Sequence, residues 1–320
     1  MSSPLLYSLG LENALLHTQW HGYFEVTALT LLLWDYILTF QSELELIWGR
    51  PKNGVTFLFL ANRYLAVVAQ LVTTYAHVSS NVTYEVSVFA IAYWLIGTSI
   101  LQLALTDGIV WLSVCSLYRN TSAVRWPLLG LMITCMLCGV SVVGVVGSHS
   151  KGAAQLAPGF KQCTVYTQYH NLWLFWVPLL VYETTTFILV IRLFIQYQRN
   201  RKEWTSNLLE LLLNDMLLYL AIIFVAFIGN TILFANPDPT LSGILDPPTV
   251  VLLSILGNHM LLNLRAESKR AAQGMIYQSG VRDPGTPGPG EGGRRNIPQQ
   301  GDLGITGTGL ETMVFTTATV

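Results

Sequence analysis

Seven times along this chain the sequence stays apolar long enough to cross a lipid bilayer: near 22–40, 55–77, 86–112, 127–146, 170–193, 208–234 and 249–264. A hydrocarbon core of about 30 Å needs about 20 helical residues. It offers no water to backbone N–H and C=O groups, so each run must satisfy them internally as a helix. Composition points the same way. Only 11% of the side chains are charged, less than half the roughly 25% of a soluble domain. The expected fold is therefore an all-α membrane protein, a seven-transmembrane helix bundle over 22–265. An N-terminal segment, 1–21, precedes it and a tail, 266–320, follows. Asn258, His259 and Asn263 interrupt the seventh run, but Pro247-Pro248 gives it a sharp start and Arg265 a basic stop. Residues 1–21 hold no Lys or Arg, so no cleaved signal is expected and span one should direct its own insertion.

Lys and Arg alternate between the two sides. Arg50 and Lys52 follow span one, Arg119 and Arg125 span three, Arg199, Arg201 and Lys202 span five, and Arg265, Lys269 and Arg270 span seven. The opposite side holds only Lys151 and Lys161. Positive charge stays inside, so the N-terminus is expected outside and the C-terminus in the cytoplasm, in the plasma membrane or an endomembrane. The net charge of -1 argues for no nucleic-acid partner; the lipid bilayer is the partner that composition demands. Residues 265–277 suit a short interfacial helix with its basic side on anionic headgroups. DPGTPGPGEGG from Asp283 to Gly293 suits a flexible tail.

Trp34-Asp35-Tyr36, Leu38-Thr39-Phe40, Glu43, Glu45, Ile47-Trp48, Leu58-Phe59-Leu60 and Asn62-Arg63-Tyr64 form a distinctive block. It resembles the N-terminal block, here about 22–70, of a family of basidiomycete fungal membrane proteins defined by a domain of unknown function, 6533. Looser likeness continues through Asp107, Ser116-Leu117-Tyr118, Pro178, Glu183, Asp215 and Leu261-Leu262-Asn263-Leu264-Arg265. The resemblance implies a polytopic, seven-span protein without an established activity. Members commonly carry Arg where this chain has Ser113, and many carry Cys where it has Ser87. The resemblance thus implies that Cys163 is a free thiol here.

Ionisable groups inside a bilayer are costly, so each is a functional candidate until its partner is found. Asp35 lies about six residues, roughly 9 Å, from the inner end of span one, and Arg63 about eight residues, roughly 12 Å, from that of span two. Matching depth makes an Asp35–Arg63 pair the expectation, as a static lock between the helices or as a proton or ligand site. Asp107, Glu183, Asp215, Asn258 and His259 fall toward the same side, and with that pair they are expected to form one intramembrane polar cluster. It suits helix–helix adhesion, a receptor's switch region or a proton relay. Tyr93, Trp94, Trp173 and Trp176 are candidates to line an outer ligand pocket, although interfacial aromatic belts account for the same residues. Asn81-Val82-Thr83 is a glycosylation sequon on the outside-facing side.

His17 and His21 share a helix face, but no carboxylate or thiol is fixed beside them, so no metal site is expected. GxSxG, Walker and HExxH motifs are absent, and enzyme chemistry is not expected. The five lysines, Lys52, Lys151, Lys161, Lys202 and Lys269, lie in loops or the tail, so a retinal Schiff base has no buried amine. No cofactor is implied. The reading that emerges is a receptor-like seven-span sensing protein with a cytoplasmic signalling partner. The alternative is a small-solute or proton transporter working through the polar cluster.

Overall fold

The computed structural model describes residues 4–49, 52–78, 84–149, 153–155, 163–165, 172–199, 207–236 and 243–280. Helix α1 (Pro4–Glu43) ends in one π-helical turn, Leu44–Trp48. There follow α2 (Gly54–Val78), α3 (Tyr84–Leu117) and α4 (Ser122–His149). The connection to the next helix holds a two-stranded antiparallel ribbon, β1 (Ala153–Gln155) against β2 (Cys163–Val165), where the sequence suggested only loop. A 3₁₀ turn, Leu172–Phe175, leads into α5 (Trp176–Arg199), and α6 (Asn207–Ala235) and α7 (Asp246–Gly280) complete the chain. Among the described residues seven helices are long and apolar enough to cross a membrane, and each overlaps one expected run. The architecture fits an integral membrane protein.

Three helix ends differ from expectation. The first span runs to Trp48, because Leu46 and Ile47 bury themselves against the bundle and carry the helix past the acidic Glu43 and Glu45. Helix α3 runs to Leu117 and closes on Arg119 and Asn120, both left-handed with φ 52° and 53°. There Asn120 N–H bonds Cys115 C=O at 2.7 Å, which caps the helix C-terminus. The reversal into α4 therefore takes only a few residues. Last, α7 is continuous to Gly280. The interfacial helix expected over 265–277 is its continuation, since Arg265 and Ser268 are buried in the bundle and hold the chain on its helical course.

The helices are not equivalent. Within its spanning window α7 is 67% buried, whereas α4 is 17% buried. Helix α7 packs against α1, α2, α3 and α6, and α4 rides outside on α3 and α5. In α1 the residues facing inward are Glu25, Ala28, Leu32, Thr39, Glu43 and Leu46, a spacing of threes, fours and sevens that keeps one stripe toward the bundle. Helix α2 answers with Val55, Phe59, Asn62, Arg63, Ala66 and Gln70. The lipid-facing sides are apolar too, with Ile37, Leu38, Phe57 and Val225 exposed, so burial here sorts polar residues inward.

Gly257 sets how closely α7 approaches its neighbours. A methyl group on it would lie 3.3 Å from Ile109 Cδ1 and 3.4 Å from the Asn62 amide nitrogen. Gly97 in α3 has nothing within 4 Å of the same position. Gly257→Val should therefore lower stability by about 1–3 kcal/mol through overpacking, while Gly97→Val does so far less. Thermal unfolding of both variants in detergent, followed by tryptophan fluorescence, checks this; equal midpoints would refute the packing.

Candidate functional site

The π turn creates the first part of the site. In an α-helix the side chain five residues on points away, but the wider turn that closes at i+5 brings it round to the same side as the starting residue. Trp48 thus sits above Glu43 and donates its indole N–H to Glu43 Oε1 at 2.9 Å. Tyr64 O–H donates to the same oxygen at 3.1 Å. The second oxygen, Oε2, faces Arg63 Nε at 3.0 Å, with both side chains essentially out of contact with solvent. Arg63 also donates from Nη2 to Tyr36 C=O at 2.9 Å and lies 4.4 Å from the centre of the Tyr36 ring, a cation–π contact.

The expected Asp35–Arg63 pair is therefore replaced by Glu43–Arg63. Depth alone suggested the former; direction round the helix decides it. Tyr36 and Glu43 are two turns apart and share a face, whereas Asp35 is displaced from Tyr36 by about 100°. It turns to α7, where its Oδ1 meets His259 Nε2 at 2.8 Å. The Tyr219 ring lies 6.3 Å from that imidazole, and Asn263 joins Tyr219 Oη (3.2 Å) to Asp215 Oδ2 (3.0 Å) by its amide N–H groups. Asp35, His259 and Asp215 are thus brought into one chain of contacts across α1, α7 and α6.

Asn62 forms the hub of a second part. Its amide nitrogen donates to Asn258 Oδ1 at 3.0 Å and to Ser254 C=O at 3.1 Å. Its amide oxygen accepts from Gln102 Nε2 at 2.6 Å and Thr106 Oγ1 at 3.2 Å. Two donors and two acceptors are the full capacity of an asparagine side chain, and Asn62 is fully buried. One residue of α2 thereby joins α3 to α7. Near the same end Arg265, expected as a basic stop in the loop, is buried instead: it donates to Leu46 C=O in the π turn (3.2 Å) and to Thr56 Oγ1 (2.9 Å). A cation there complements the carbonyl-rich end of α1.

Asp107 and Glu183 stand apart from these networks. Both are buried, on α3 and α5. Tyr182 O–H reaches the Asp107 backbone carbonyl at 3.1 Å rather than its carboxylate. Toward the other end of the bundle, Glu25 accepts from Gln70 Nε2 at 2.5 Å. Trp176 is buried beneath Phe175 and Phe227, Trp173 is half-buried and Trp94 partly exposed; the Tyr93 side chain and Asn81 lie outside the described residues, as do the side chain of Cys163 and residues 281–320.

Sequence reasoning passed over Glu43, Glu25, Asn62 and Gln102. Glu43 was hidden by ending the first span at 40. The signal was the apolar continuation Leu44, Leu46, Ile47, Trp48, spaced to keep the helix going. Gln102 and Asn62 carried the ordinary signal of amides inside apolar runs.

Residues 23–68 match the model of a family described as a family of unknown function (DUF6533). No curated protein and no solved structure matches the chain. The matched stretch supplies Asp35, Glu43, Asn62 and Arg63, the α1–α2 half of the polar core. The residues that complete it, Gln102, Asn258, His259 and Arg265, come from α3 and α7.

Removing one member of a buried ion pair costs about 3–5 kcal/mol, because the other charge is left stranded. Arg63→Met should therefore destabilise strongly, and Glu43→Gln/Arg63→Met should recover most of the loss, since glutamine still accepts from Trp48 and Tyr64. A double-mutant cycle on thermal or denaturant unfolding in detergent reads this; additive losses would refute the pairing.

Proposed function

We propose that the chain is a receptor-like seven-span sensing protein, with its N-terminus outside and its C-terminus in the cytoplasm. The observation that carries this reading is α7: its polar residues are bonded to α1, α2 and α6 at successive levels, and its helix continues beyond Arg265 to Gly280. A stimulus that shifts the bundle at the end where α1 begins would move α7 as a unit and displace that extension. Arg119, Arg125 and Arg199 lie at the opposite end, from which that extension leaves, and would meet a cytoplasmic signalling partner. Such a relay needs two discrete arrangements of packed helices, and exchangeable bonds such as Asp35–His259 are suited to differ between them.

A small-solute or proton transporter is the second reading, favoured by the carboxyls of Asp107 and Glu183, which have no cation beside them among the described residues. Two measurements separate these accounts. Sequons introduced one at a time in microsomes should be glycosylated at the N-terminus and in the α4–α5 connection, and left bare after α7; a glycosylated tail would overturn the orientation. In liposomes carrying a pH-sensitive dye, a sensing protein should pass protons under an imposed gradient no faster than protein-free vesicles. A flux above that background, abolished by Asp107→Asn, would replace sensing by transport.

A further inference from the structure

We propose that Asp107 and Glu183 form an intramembrane site for one small monovalent cation, H⁺ or Na⁺. Four other spanning carboxyls have a donor to answer them: Glu43 has Arg63, Asp35 has His259, Glu25 has Gln70 and Asp215 has Asn263; Asp246, at the first turn of α7, also keeps one oxygen without a partner among the described residues. Asp107 and Glu183 differ. Each is 1% exposed, and Asp107 Oδ1 and Glu183 Oε1 have no hydrogen-bond partner among the described residues. The remaining Glu183 oxygen has only the Thr186 hydroxyl, at 3.5 Å. The two carboxyls also lie within electrostatic reach of each other.

An ionised carboxylate in a dry interior is strongly unfavourable without a countercharge, and two neighbouring ones repel as well. Among the described residues, the groups facing the pair offer no such charge. They are Tyr182 on α5 and Cys135 on α4, with Cys115 on α3 beside Tyr182. Arg63 on α2 and His259 and Arg265 on α7 are engaged with the partners named above, and Asp215 on α6 is itself acidic. A single positive charge taken from outside the protein fills the gap. As a proton it sits on one carboxyl and is donated to the other; as sodium it bridges the orphaned oxygens with Thr186 Oγ1 beside them. The site goes beyond the sensing assignment and stands without it, because a bound cation need not cross the membrane.

The test uses the full chain in lipid nanodiscs. Thermal midpoints are measured in sodium and in choline, and the infrared stretch of protonated carboxyls is recorded at neutral pH. A midpoint raised by sodium identifies Na⁺; a protonated-carboxyl band without a sodium response identifies H⁺. The sodium response should vanish in Glu183→Gln, which leaves Asp107 as one protonated carboxyl, and both the sodium response and the pair's share of the band should vanish in the isosteric Asp107→Asn/Glu183→Gln, which carries its neutrality permanently and should fold without the cation. A wild-type protein that shows neither the sodium response nor the band, or one whose signals are undiminished in the double variant, overturns the proposal.

Discussion

A polar group inside a bilayer has no water to turn to, so one that the sequence places there must be answered by another side chain, by the backbone or, as proposed for Asp107 and Glu183, by a bound cation. The bundle is arranged around that requirement. Apolar residues lie on both its inner and outer surfaces and give the helices little reason to prefer one orientation. The polar ones do. Because Glu43 needs Arg63, Asn62 needs Gln102 and Asn258, and Asp35 needs His259, the azimuths of α1, α2, α3 and α7 are fixed together. Small residues then allow the approach: Ala28 and Ala66 are buried between α1 and α2, and Gly257 brings α7 against Asn62.

The π turn links this core to the end of the bundle. It places Trp48 over Glu43, partly lipid-facing and at the boundary where an indole is favoured. It also leaves Leu46 C=O for Arg265. One irregular turn thus joins the ion pair of α1 and α2 to the point where α7 leaves the span. The arrangement ties the stability of the core to the position of α7, which is why the same residues serve both the packing and the proposed signal.

Much of the fold was legible in the sequence and much of the site was not, for one physical reason. Span counting measures depth, since each residue adds about 1.5 Å, but partnership also depends on direction, which changes by about 100° per residue. Seven spans follow from depth alone. Asp35 and Arg63 share a depth and still part company, because Asp35 faces α7 while Arg63 faces the Tyr36–Glu43 stripe. His259 and Asp35 were both recognisable as functional candidates, yet 224 residues separate them, and nothing local in the sequence announces their meeting. Arg265 read as a stop because a terminal arginine normally meets water; here the π-turn carbonyl and Thr56 take water's place.

The central claim is that Asn62 holds α3 and α7 in one cooperative unit. Amide hydrogen exchange on the full chain in nanodiscs tests it most directly, comparing wild type with Asn62→Leu, which keeps the volume and removes the bonds. The account predicts that protection falls together in α3 around Gln102 and in α7 around Asn258, as one unit opening at lower free energy. Faster exchange confined to α2, with both distant segments as protected as before, would contradict it.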